Sequence, residues 1–82
     1  MTILEEAGAL VAGVRQEAYG DPSEMHAKIA AIWSVILGHE VSPRQVALCL
    51  AGMKLARESH RHKRDNLVDL AAYAHLADVV GD

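Results

Sequence analysis

A chain of 82 residues, 51% hydrophobic and 23% charged with a formal net charge of −3, has room for one domain and too much apolar surface to stay disordered. Its acidic balance repels phosphate and so argues against a general nucleic-acid binder. No uncharged stretch approaches the roughly 20 apolar residues of a membrane span. The lone cysteine, Cys49, excludes an intrachain disulfide framework and fits a reducing compartment. Glu5 and Glu6 stand where a secretory signal would carry positive charge, so the expected location is cytoplasmic.

A domain this short buries only roughly 60–65% of its unfolded surface, which makes self-association an expected extra source of stability. Aromatics are 4% of the chain, Phe is absent and alanine recurs throughout, so helices are favoured over strands. The expectation is a single all-α domain over 1–82, an antiparallel bundle of three to four helices that forms a homo-oligomer. Residues 1–20 would hold a frayed or partner-packed first helix and 21–80 the core helices.

In chain order, Ile3, Leu4, Ala7, Leu10, Val11 and Val14 fall at helical spacing and predict a first helix over Thr2 to Ala18. Gly8 and Gly13 weaken it by about 1 kcal/mol each, and Gly20 breaks the chain. Asp21-Pro22-Ser23-Glu24 is a helix start, with Asp21 as cap and Pro22 in the first helical position. The helix behind it carries Met25, Ile29, Ile32, Trp33, Ile36 and Leu37 as a broad apolar stripe and ends at Gly38.

Ser42-Pro43-Arg44-Gln45 repeats the start logic, with Ser42 capping and Gln45 at the capping-box position. The third helix, Pro43 to His60, has Val46, Cys49, Leu50, Met53 and Ala56 on one side and Leu48 and Leu55 on another, which predicts cover on more than one face. The basic knot His60-Arg61-His62-Lys63-Arg64 makes a turn, in which Lys63 and Arg64 are read as solvated. A fourth helix from Asp65 to Val80 follows, its principal stripe formed by Leu67, Leu70, Ala71, Ala74 and Ala77.

The third and fourth helices carry opposite charge. Lys54, Arg57, Glu58 and Arg61 share a face of one, and Asp65, Asp69, Asn66 and Tyr73 a side of the other. Packed antiparallel, Lys54 and Arg57 confront Asp69 and Tyr73. Two outcomes fit that pattern. The carboxylates hold Mg²⁺ while the cations grip ligand phosphates, Arg57 as a bidentate fork and Lys54 as a point charge. Alternatively, the charges simply neutralise one another and orient the helices. Two aspartates four residues apart do not make a closed metal site by themselves.

The five histidines form no zinc spacing, and His26, His39 and His75 read as solvated or capping residues. Trp33 reads as core or oligomer packing, with base stacking the sharper alternative. Cys49, among Leu48 and Leu50, reads as a buried inert thiol. No catalytic triad order, P-loop or dinucleotide glycine fingerprint is present, so the catalytic residues are unknown.

The order Arg15, Tyr19-Gly20-Asp21-Pro22, Trp33, Lys54-Leu55-Ala56-Arg57 and Asp65-Asn66-Leu67-Val68-Asp69-Leu70-Ala71-Ala72-Tyr73 resembles a family of small, mostly uncharacterised phage and prophage proteins. More remotely, it is similar to the all-α nucleoside triphosphate pyrophosphatases of the MazG type. That likeness implies an oligomeric helical bundle in which two acidic pairs hold Mg²⁺ and a nucleoside triphosphate is cleaved to monophosphate and pyrophosphate. The second acidic pair would fall on Asn66 and Asp69, with Asp65 as a substitute, and the first near Lys54 and Arg57. Two cations in place of two carboxylates remove ligands and repel Mg²⁺, so the standard metal cluster cannot form there. Glu58 and Asp69 remain as ligands for one ion.

The resulting expectation is a nucleotide or phosphate ligand held by Lys54, Arg57, Asp65, Asp69 and Tyr73. The alternative is a non-enzymatic phage accessory protein that sequesters a host nucleotide signal or binds a host protein, with the apolar face from Met25 to Leu37 as its working surface.

Overall fold

The computed structural model describes residues 1–14 and 20–81, with Val14 described by its backbone alone. The described residues are all-helical, as expected. They form α1 (Ile3–Ala9), a π-type turn (Leu10–Val14), α2 (Pro22–Leu37), α3 (Pro43–His60) and α4 (Arg64–Val79). Arg15 and Tyr19 of the phage-like pattern, and the far end of the expected first helix, lie outside the described residues.

The helix starts follow the local chemistry. Asp21 accepts from the amide of Glu24 at 3.1 Å, and Pro22 occupies the first helical position. Ser42 and Gln45 form a reciprocal capping box, as do Thr2 and Glu5. The Thr2 amide, then its hydroxyl, hydrogen-bond the Glu5 carboxylate and hold its pKa below the ordinary value. Gly38, at φ 75°, closes α2 in the left-handed conformation that only glycine adopts without strain.

The first helix departs from its expected length. Regular α-helix ends at Ala9, and Gly13 adopts φ 125°, outside helical space. The apolar periodicity continues through this turn, but the backbone freedom of glycine breaks the helix that the periodicity predicts.

The antiparallel pair α3–α4 is the spine of the molecule, with α1 packed on α4 and α2 on α3. Two separate apolar clusters result. Ala7, Val68 and Ala72 bring α1 to α4, supported by Ile3, Leu10, Val11 and Ala71. Ala30, Val41 and Val46 bring α2 and its following loop to α3, supported by Ile29, Trp33 and Leu50. Val46 is the largest side chain buried completely, so the packing rests mainly on small residues. The radius of gyration, 13.0 Å, exceeds the roughly 12 Å of a compact chain of this length, and the long axis reaches 39 Å.

Polar ties fix the connections. Ser34 Oγ donates to the Ala30 carbonyl at 2.7 Å and accepts from the Val41 amide at 2.8 Å, which folds the α2–α3 loop onto α2. At the far end of the spine, Arg44 Nε donates to the Ala77 carbonyl at 2.8 Å, where a cation also meets the negative end of α4.

Several exposed faces differ from the expectation. Leu48 and Leu55 are 54% and 58% exposed rather than covered, because α2 packs along only one flank of α3. Cys49, on the same open side, is exposed rather than buried. The stripe of α2 divides: Ile29 and Trp33 turn inward, while Ile32, Ile36 and Leu37 face outward, as does Val35 outside the stripe.

Candidate functional site

The charged hairpin assembles, with a different division of labour from the one its spacing suggests. Lys54 Nζ pairs with Asp69 Oδ2 at 2.8 Å, and both side chains are largely covered. Arg57, one turn further along α3, is exposed and has no ion-pair partner among the described residues. Of the two expected cations, therefore, only Lys54 engages the acidic arm.

Glu58 is the hub of the turn into α4. Its carboxylate pairs with His62 and accepts from the Lys63 amide at 2.9 Å and from Asn66 Nδ2 at 3.2 Å. The hydrogen bond from His62, followed by that from the Lys63 backbone, lowers the Glu58 pKa from its ordinary 4.5 to about 2. This carboxylate sits at the start of α4, where the helix dipole favours negative charge. Asn66, the expected counterpart of an acidic metal ligand, is buried and spends its amide on Glu58. Among the described residues, no group of three or more His, Cys, Asp or Glu side chains is arranged to hold a metal ion.

The basic turn from His60 to Arg64 is exposed, as expected of Lys63 and Arg64, and Arg64 makes contacts besides. Arg64 pairs with Glu6 of α1 and donates through Nη2 to the Met1 carbonyl at 2.7 Å. The sequence gives no local sign of this contact, since it spans 63 positions.

On the side of α4 that carries Asp69 and Tyr73 lies a cavity of about 230 Å³. Its wall is mostly apolar, built from Leu10 and Val11 of the π-type turn, Met25 and Ile29 of α2, and Leu50 of α3. Among the described residues, Asp69, Tyr73 and His26 are those with polar side chains at its border. Asp69 also borders a second recess with Asp65 and Glu6. The five expected ligand residues thus separate. Asp69 and Tyr73 share the cavity wall, Asp65 stands at the neighbouring recess, and Lys54 and Arg57 line neither.

His26 was missed by sequence reasoning. Read as solvated or capping, it is 5% exposed, and its Nδ1 lies 2.7 Å from the Pro22 carbonyl. It falls on the α2 face shared with Ile29 and Trp33, one turn before Ala30, and that register was the available signal.

Fold and cleft together define a small all-helical domain with a side-opening apolar cavity bordered by a few polar groups. The chain belongs to the family described as Domain of unknown function (DUF6378), whose model matches residues 2–81. It is similar to the Gene 55 protein of Mycobacterium phage L5, with 37% identity over 76 residues covering 90% of this chain and 49% of that protein. It is also similar to the Gene 55 protein of Mycobacterium phage D29, with 40% identity over 74 residues covering 89% of this chain and 49% of that protein. The chain spans about half the length of these curated relatives. No solved structure matches it. The family is thus a phage protein family, and no described helix is long and apolar enough to cross a membrane.

Proposed function

We propose that this chain is a ligand-holding domain of its phage family and seats a nucleotide-class ligand against Asp69 and Tyr73. The observation that carries the reading is the cavity of about 230 Å³ beside the charged hairpin, with these two residues in its wall. Tyr73 lies beside the base and Asp69 accepts from a ligand hydroxyl. Lys54 is held by Asp69, so Arg57, exposed on α3 and outside the cavity wall, is the hairpin cation open to a phosphate that extends beyond the cavity. The resemblance to MazG-type enzymes enters as the source of the nucleotide class.

The reading assigns binding rather than hydrolysis. A Mg²⁺ ion on Asp69 or Glu58 would have to displace Lys54 from the first, or His62, the Lys63 amide and Asn66 from the second. Thermal unfolding against a panel of nucleoside mono-, di- and triphosphates, with and without Mg²⁺, tests it. Ligand at 100 times its Kd adds about 2.7 kcal/mol of stability, and Arg57→Ala and Tyr73→Ala should each reduce that gain. Absence of a shift with every nucleotide overturns the reading.

A second reading rests on a separate observation. Val35 and Ile36 are 84% and 72% exposed, with Ile32 and Leu37 beside them, a patch suited to a protein partner. In that reading the hairpin charges are a clasp, and the outer face of α2 meets a second copy of the chain or a host protein.

A further inference from the structure

The outward side of α3 is an uncharged stripe. Leu48, Cys49, Gly52, Leu55 and Ala56 recur at spacings of three and four, with Gln45 and Ser59 three residues further out at either end. All seven are exposed. Of the charged residues of this helix, Lys54, Arg57 and Glu58 lie off the stripe, and Arg44 at its edge turns to the Ala77 carbonyl of α4. A helix face that stays in water is ordinarily polar and charged. Gly52 is a second, separate oddity. Glycine weakens a helix interior, and a Cβ added at this position would meet nothing within 4 Å, so nothing in the single chain calls for its absence. The close passage of another helix backbone does.

We infer that this face joins two copies of the chain, their α3 helices packed antiparallel with Gly52 against Gly52 on the two-fold axis. The stripe is built to meet itself. An antiparallel two-fold places each position opposite the one equally far from Gly52 on the other side, which pairs Leu48 with Ala56 and Leu55 with Cys49. Each leucine thus meets a small residue, the backbones approach at glycine, and the neutral Gln45 and Ser59 meet at the ends. A parallel pair would set leucine on leucine and leave the small residues facing one another. Charge agrees with the antiparallel order. It brings the exposed Arg61 and Lys63, past the end of one α3, toward the exposed Glu40 ahead of the other, where parallel order would oppose like charges. The footprint, about 20 Å long and 10 Å wide, is smaller than the roughly 800 Å² per partner of a standard interface, so the dimer is a reversible one. This contact stands on α3 alone and is independent of the ligand cavity and of the outer face of α2.

Sedimentation velocity of the full chain at rising concentration should show the 8.8 kDa monomer exchanging with a dimer. Gly52→Glu, whose side chain has open space in one chain, should keep its helical content and dimerise at least about tenfold more weakly, because like charges then face each other on the axis. A wild type that stays monomeric up to about 1 mM overturns the inference, as does a dimer that Gly52→Glu leaves intact. Disulfide trapping reads the register. The two Cys49 residues lie about 9 Å apart along the axis, out of reach of a disulfide, so the wild type should resist coupling under mild oxidation. Leu55→Cys should become a covalent dimer, because position 55 faces Cys49 of the other copy, and Leu55→Cys/Cys49→Ala should not. Coupling of the wild type as readily as of Leu55→Cys overturns the inference. If Gly52→Glu fails to fold, the trapping pattern still decides.

Discussion

Lys54 Nζ and Asp69 Oδ2 meet at 2.8 Å midway along the α3–α4 spine, with 15% and 14% of their side chains exposed. A pair so covered is costly to break on one side, since the remaining charge has little water to fall back on. Asp69→Leu and Lys54→Met should each destabilise the chain by about 1–3 kcal/mol, less than for a fully buried pair because some solvent reaches both groups. The double variant Lys54→Met/Asp69→Leu should recover most of that loss. A double-mutant cycle from urea unfolding measures the coupling, and additive single losses would show that the pair contributes nothing as a pair.

Glu58 gives the pH dependence a definite sign. Its folded pKa of about 2 lies below the ordinary 4.5, so the unfolded chain takes up the proton first as the pH falls. Its contribution is therefore complete above about pH 5 and disappears as the pH drops through the interval between 4.5 and 2. The melting temperature of Glu58→Gln should lie below that of the wild type at pH 6 and converge with it near pH 2. Parallel curves over that range would contradict the assignment of His62 and the Lys63 amide as the cause.

Ser34 ties two elements through one hydroxyl, as donor to Ala30 and acceptor from Val41. Ser34→Ala strands the amide of a residue that is only 9% exposed. The expected cost is about 1–3 kcal/mol by chemical denaturation, with faster hydrogen exchange in the α2–α3 loop. An unchanged midpoint would mean that water replaces the hydroxyl freely.

The outer face of α2 gives a prediction of the opposite kind. Val35 and Ile36 contribute little to the fold of one chain, so Val35→Glu/Ile36→Glu should change its stability by no more than about 0.5 kcal/mol. Sedimentation velocity should find the same concentration-dependent species larger than 8.8 kDa for the wild type and for the variant, since the second copy is assigned to α3. A monomer for the variant alone would make the second copy the occupant of this face.

Much of the fold is written in short-range signals. Asp21-Pro22 and Ser42-Pro43 place two helix starts because caps depend on atoms within three residues of one another. Lys54 opposite Asp69 was legible for a related reason, since a short turn and two helical repeats fix the register. Burial was harder. Leu48 and Leu55 have the composition of a covered face and lie open, because which flank of α3 receives α2 is decided by tertiary packing. Cys49, beside Leu48, lies open with them. His26 shows the converse, a polar residue on a helix face whose burial depends on neighbours distant in sequence. The clasp of Arg64 on Glu6 joins the first and last helices, beyond any local pattern.

The separation of the two apolar clusters has a consequence for how the protein melts. Each anchors a different helix to the spine, α1 through Ala7 and α2 through Ala30, and the cavity lies where they fail to merge, bordered by Leu10 and Ala72 from one and Ile29 and Leu50 from the other. Empty, such an architecture lets the two outer helices peel away independently, as separate foldons. A guest touching both sides would act as a keystone, fusing two small cooperative units into one.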